Sequence, residues 1–268
     1  MPPPGVKRGR QASGDGIKML LVILATLLLL AGGAAAWWFT RQPAVDRVTL
    51  CPASGPTGIH AVLIDRSDPI TPLQATRVRQ VLEQAVLEAP VGARIALYVA
   101  ESDGITALSP ELALCNPGRD ANPIYQNPRM IREQYEQQFK SRLDAAITRL
   151  LAQSTRQTSP IMESLKAVCI DAFGAQPVGA ALRMTLVSDL IQHSPAVSHI
   201  RDRDYEALLR SPRLQALVAD CKGASVEIVY LLRPTQRGQP GIQTRAHQSF
   251  WDRYLQRVNA RPRSMEPV

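Results

Sequence analysis

Three short segments of this 268-residue chain carry oxygen ligands in an arrangement that could do chemistry. Asp65-Arg66-Ser67-Asp68-Pro69 follows the apolar run His60–Ile64, Thr158-Ser159 precedes Pro160 and a helix-like segment, and Ser188-Asp189 closes the apolar run Leu182–Ser188. Carboxylates, hydroxyls and water, about six oxygens in all, are what a hard divalent cation such as Mg²⁺ takes. Any one of these loops alone reads more simply as a helix cap, because Ser, Thr and Asp accept hydrogen bonds from the first N–H groups of a helix. Their conjunction in this order makes Asp65, Ser67, Asp68, Thr158 and Asp189 the candidate metal ligands; between Thr158 and Ser159, position favours the first. Other chemistries find less support. His60, His193, His199 and His247 show no Ser/His/Asp or metalloprotease spacing. His193, four residues past Asp189, reads as a loop histidine bonded to backbone or water. Neither a Gly-x-Gly-x-x-Gly nor a Gly-x-x-x-x-Gly-Lys run follows the first apolar run, which leaves nucleotide binding of those two kinds unsupported.

The elements that would position these loops alternate. His60–Ile64 has the length of a buried strand, and Leu73–Leu87 the apolar spacing of a helix, closed by Pro90 and Gly92. Arg94–Ala100 reads as a second strand. Ile105–Leu114 is a weaker third, joined through Ser102-Asp103-Gly104, which predicts an antiparallel hairpin at a sheet edge. After a loop over Cys115–Pro128, the pattern predicts helices over Ile131–Ala152 and from just after Thr158-Ser159-Pro160 to Phe173. A fourth strand over Leu182–Ser188, a helix over Tyr205–Val218 that Pro212 bends or splits, a fifth strand over Val226–Leu232 and a last helix over Ala246–Val258 complete the series. This alternation predicts an α/β fold, a Rossmann-like and mainly parallel sheet with helices on both faces, over residues 59–258. In such sheets ligands bind outside the carboxyl ends of the strands, and there the acids lie.

On these residues the chain resembles the von Willebrand factor A (VWA) family. Asp65-Arg66-Ser67-Asp68-Pro69 is similar to the family's Asp-x-Ser-x-Ser segment, Thr158 to its metal-loop threonine, and Asp189 to the aspartate after its fourth strand. The resemblance implies a metal-ion-dependent adhesion site, in which bound Mg²⁺ takes its last oxygen from an acidic side chain of a partner protein. Pro69 departs from the pattern, because it stands where the second serine would supply a hydroxyl. Either Asp68 substitutes from the neighbouring position or the site is degenerate and holds no ion.

The formal charge of +8 points toward an anionic partner until its distribution is considered. Lys7, Arg8, Arg10 and Lys18 against Asp15 give residues 1–18 a net +3, and seven Arg against Asp252 and Glu266 give residues 233–268 a net +5, which leaves the 214 residues between them neutral. Such a body does not bind nucleic acid by charge. Met19–Phe39 holds 21 uncharged residues, roughly 30 Å as a helix, the thickness of a bilayer's hydrocarbon core. The basic residues before it place the N-terminus in the cytoplasm, so that residues 40–268 are exported. The anchor competes with a cleaved signal peptide, for which Ala34-Ala35-Ala36 offers a cleavage site. Residues 1–18 then form a disordered cytoplasmic tail, 19–39 the transmembrane helix, 40–58 a linker and 259–268 a flexible basic tail. Arg245, Arg253, Arg257, Arg261 and Arg263 read as a solvated face and frayed end, or as contacts to lipid headgroups or an acidic partner. Cys51, Cys115, Cys169 and Cys221 fit no compact zinc site; they are buried thiols or, in an oxidising compartment, up to two disulfides with three connectivities open.

These expectations combine into a non-enzymatic, VWA-like protein-binding module, anchored in the inner membrane by residues 19–39 and exported into an envelope or surface assembly, with Mg²⁺ as its expected cofactor. Two readings compete with it. One is a Mg²⁺-dependent phosphodiesterase or phosphatase using Asp65, Asp68 and Asp189, and the other a metal-free structural subunit of a membrane complex.

Overall fold

A computed structural model of the protein describes residues 14–40, 45–100, 108–122, 126–152, 157–176, 179–234 and 241–268. The chain divides into two compact units, Met1–Pro43 and Ala44–Val268. In the first, helix α1 (Gly14–Thr40) runs 27 residues, of which Gly16–Trp38 is long and apolar enough to cross a membrane. Its Leu, Ile, Val and Trp side chains are exposed. A helix apolar on every face finds its solvent in lipid rather than water.

The second unit is built on a six-stranded sheet of order β3-β2-β1-β4-β5-β6, from β1 (Gly58–Asp65), β2 (Arg94–Ala100), β3 (Leu112–Cys115), β4 (Ala181–Ser188), β5 (Ser225–Tyr230) and β6 (Arg261–Pro267). Every neighbouring pair is parallel except β2 and β3. The chain steps outward from β1 through β2 to β3, then resumes on the other side at β4, so strand order reverses between β1 and β4. The predicted α/β fold is the observed one.

Helices cover both faces, which explains why the central strands are near-continuous apolar runs rather than alternating ones. On one face Ile59, Ala61 and Leu63 of β1 join Ile161 and Leu165 of α5 (Ile161–Val168) and Phe250, Trp251 and Tyr254 of α8 (Arg245–Arg257). On the other, Val62 and Ile64 join Val78 and Leu82 of α2 (Pro72–Glu88) and Leu143 and Ile147 of α4 (Ser141–Leu150). Helix α2 begins at a capping box, Thr71 accepting from Gln74 N while Gln74 accepts from Thr71 N, with Pro72 at its first position. The helix predicted over Ile131–Ala152 starts at α3 (Pro128–Gln134) under the cap of Asn127 and reaches α4 through the π-helical turn Tyr135–Lys140. Helix α5 likewise continues into the π-helical turn Cys169–Phe173. Pro212 does split its segment: α6 (Tyr205–Arg210) ends at Ser211, whose side chain caps the short α7 (Pro212–Gln215).

Two boundaries are corrected. The part of the expected linker that is described, 45–58, belongs to the folded unit. Asp46 Oδ1 accepts from Val48 N, Thr49 N and Thr49 Oγ1, and Thr49 O accepts from Cys115 N at 2.8 Å beside β3. The expected flexible tail 259–268 is ordered, because β6 pairs with β5 and Val268 N donates to Tyr230 O at 2.9 Å. Its two prolines are tolerable on an edge strand. Two of the arginines near this end are likewise held by protein groups, Arg253 pairing with Glu206 and Arg257 donating to Leu209 O, whereas Arg245, Arg261 and Arg263 are exposed. β3 keeps the expected antiparallel pairing but only from Leu112; the Ser102-Asp103-Gly104 turn and Ile105 lie outside the described residues. The cysteines form two disulfides, Cys51–Cys115 and Cys169–Cys221. In the chain-entropy picture, loops of 64 and 52 residues give each bridge about 4 kcal/mol against the unfolded chain.

Candidate functional site

Where strand order reverses, the loops after β1 and β4 and the loop before α5 meet on one carboxylate. Asp65, at the last position of β1 and 3% exposed, accepts Ser67 N on Oδ1 at 3.0 Å. Its Oδ2 accepts Ser159 Oγ at 3.0 Å and Ser188 Oγ at 2.9 Å. Ser188 Oγ in turn accepts from Leu190 N at 2.8 Å. Three buried donors converge on Asp65, and a carboxylate is the side chain with enough lone pairs to take them all.

Asp189, 1% exposed, lies beside this cluster. Its Oδ1 accepts from Ile191 N at 2.9 Å, and its Oδ2 from Arg233 Nε at 2.7 Å. Burial raises the Asp189 carboxyl to about 7 and the charge of Asp65 adds to the rise, while Arg233 opposes it. The guanidinium thus offsets part of the cost of burying a second acid beside the first. Arg233 also donates through NH1 to Pro69 O at 2.6 Å, so one side chain from the end of β5 ties together the loops after β1 and β4. Gln243 fixes the arginine's backbone, its Oε1 accepting from Arg233 N at 2.7 Å while its Nε2 donates to Asp189 O at 3.0 Å and to Leu231 O at 2.9 Å.

The turn that aims Asp189 is strained and held from α8. Leu190 is fully buried with φ 61°, a left-handed conformation that costs a non-glycine residue about 1–2 kcal/mol. Its carbonyl accepts from Gln192 N at 2.9 Å, Trp251 Nε1 at 2.9 Å and His247 Nε2 at 3.0 Å. With His247 Nε2–H so committed, its Nδ1 accepts from the Tyr230 hydroxyl at 3.1 Å. His199 packs edge-on against His247, Phe250 and Tyr205, with ring centroids 4.8–5.4 Å apart, and its Nδ1 lies 3.1 Å from His247 Nε2. These two histidines serve the core under the site.

Of the sequence-predicted ligands, Asp65, Ser67 and Asp189 come together. Asp68 stays outside this buried group, being exposed. Thr158 is displaced by its neighbour, since Ser159 supplies the hydroxyl on Asp65. The register of that loop is set by paired backbone bonds, Ser159 N to His193 O at 2.8 Å and His193 N to Ser159 O at 2.9 Å. His193 keeps its ring in its own loop, Nδ1 lying 2.8 Å from Ser198 Oγ. Ser188, Arg233 and Gln243 are absent from the sequence-derived candidates. Arg233 follows β5 at the same carboxyl edge as the acids, a placement that only the folded sheet reveals.

A divalent cation fits these residues poorly. Every oxygen of Asp65 and Asp189 already accepts a hydrogen bond, Pro69 has no hydroxyl, and the guanidinium of Arg233 occupies the mouth between the two loops. Among the described residues, no three His, Cys, Asp or Glu side chains are grouped so as to hold an ion.

No family model and no curated protein matches the chain. Among solved structures, an aerotolerance-related membrane protein from Bacteroides fragilis is similar at 12% identity and a TM-score of 0.35, over 79% of this chain and 91% of that one.

Proposed function

We propose that this chain is a single-pass, membrane-anchored protein whose exported α/β domain binds a partner protein through the carboxyl edge of β1 and β4, within an envelope or surface assembly. The observation that carries the reading is the convergence of three loops on Asp65 where strand order reverses, the position at which open α/β sheets take ligands. The apolar α1 supplies the anchor, and the basic residues before it support an N-terminus kept inside. The resemblance to the VWA family favours a binding edge of this kind. We read the edge as a recognition surface rather than a catalytic one, because its two buried carboxylates, Asp65 and Asp189, are held by hydrogen bonds within the fold.

Around the buried cluster the edge offers exposed Asp68 and Pro69 and, at the start of α2, Leu73, 80% exposed. An exposed apolar side chain beside a polar one matches the apolar-centre, polar-rim build of protein interfaces. Placing a photo-cross-linking amino acid at Leu73 in the full chain, in its native membrane, is expected to give one discrete protein adduct. The same probe at Val91, an exposed position at the opposite, amino end of the sheet, is expected to give none. Adding Asp68→Arg should reduce the Leu73 adduct at least several-fold. Equal adducts at both positions, or none at Leu73, would count against this edge as the binding surface.

A further inference from the structure

The cation expected at this edge and the groups found there disagree, and the disagreement has a specific form. Hard-cation chemistry calls for a positive charge between the loops after β1 and β4, shared by carboxylate and neutral oxygens. A positive charge is present, and it is covalent. The Arg233 guanidinium reaches Asp189 Oδ2 at 2.7 Å through Nε and Pro69 O at 2.6 Å through NH1, which is one carboxylate and one neutral oxygen from those two loops. Pro69 marks the departure at sequence level. Having no hydroxyl, it offers the site only its carbonyl, and a planar guanidinium with five donors can reach that carbonyl from Nη1 while Nε holds the carboxylate. The arginine is also prepositioned, since Gln243 bonds its backbone N and the carbonyls of Asp189 and Leu231 at 2.7–3.0 Å. Its side chain is 18% exposed against 1% for Asp189, so the charge plugs the site from the solvent side.

We propose that Arg233 is the resident cation of this edge, standing where a divalent ion would otherwise bridge the loops after β1 and β4, so that the edge carries its bridging positive charge without metal. A divalent ion cannot join Asp189 without meeting the guanidinium, and loss of the guanidinium leaves Asp189 buried beside Asp65 without the cation that pairs with it. The proposal concerns the cation and stands whether or not the edge binds a partner.

The test uses the full chain in detergent, with Mn²⁺ as the probe. The wild-type thermal midpoint is expected to stay within about 1 °C between chelator and millimolar Mn²⁺, and the Mn²⁺ paramagnetic resonance signal to remain that of the free ion. Arg233→Met is expected to melt lower and to regain several degrees with Mn²⁺ in a saturable way, a gain that Arg233→Met with Asp189→Asn loses. Arg233→Gln, which keeps polar contact without charge, should behave like Arg233→Met and serves if that variant does not fold. Saturable Mn²⁺ binding by the wild type that Asp65→Asn abolishes would overturn the proposal. So would folded Arg233→Met or Arg233→Gln proteins that show no response to the ion.

Discussion

Acidifying the protein from pH 6.5 to pH 4.5 is expected to lower its unfolding free energy by about 4 kcal/mol, a large part of the 5–15 kcal/mol typical of a folded domain. Three buried histidines drive the effect. His60 is depressed to about 4, first by burial and then by the charge of Arg183, with Glu88 opposing. His199 is depressed to about 3 by burial and by His247, and His247 to about 4 by burial, against a smaller upward pull from the Leu190 carbonyl. The unfolded chain takes up these protons near pH 6.5, whereas the folded chain resists until about 4. Stability is therefore complete above 6.5 and lost as pH falls through that window. Asp189 acts in the opposite sense: raised to about 7, it is protonated in the folded state while the unfolded carboxyl is still ionised, which returns about one proton's worth of stability over the same range. Three histidines against one carboxyl leave a net loss. Urea titrations at the two pH values, followed by the fluorescence of buried Trp251, read it directly; an unchanged midpoint would mean that the histidines are not held neutral in the core.

Asp65→Ala is the substitution expected to cost most at the site, about 3–5 kcal/mol. It strands the Ser159 and Ser188 hydroxyls and the Ser67 N–H in a buried place. Relief of the repulsion with Asp189 recovers part of the loss and lets the Asp189 carboxyl titrate lower. For a domain of this size the midpoint should fall by roughly 10 °C. Asp68→Ala, three residues away in the same acidic loop but exposed, should stay within about 0.5 kcal/mol of the parent. Parallel calorimetric scans separate the two; comparable losses would show that the loop, rather than the carboxylate at the end of β1, organises the site.

The contrast between Asp65 and Asp68 also shows where sequence reasoning reaches and where it stops. Strands β1, β2, β4 and β5 were legible because burial on both faces leaves continuous apolar runs, and the break at Pro212 because proline lacks the N–H that a continuous helix needs there. Strand β6 was not legible. Arg261-Pro-Arg-Ser reads as a tail, and only pairing with β5 makes it a strand. Asp65 and Asp189 could be found because a strand end is a local feature. The choice of Ser159 over Thr158 could not, since it depends on a backbone bridge to His193, 34 residues on. Arg233 was missed because its partner Asp189 lies 44 residues earlier, and nothing near Arg233 in the chain distinguishes it from the other arginines of the basic C-terminal stretch.

Position thus changes what the +8 charge means. Its N-terminal share would orient an anchor, and its C-terminal share includes arginines that close the site, pair with Glu206 and cap backbone carbonyls. Both disulfides call for an oxidising compartment, and the proposed partner would have to share it. Export of the domain is therefore the claim on which the proposed function depends. The measurement is a pair of fusions after Val268, one to alkaline phosphatase and one to β-galactosidase, expressed in a bacterial host. An exported, anchored domain predicts an active phosphatase and an inactive galactosidase, with both fusion proteins in the membrane fraction at full length; an inactive phosphatase with an active galactosidase would contradict it.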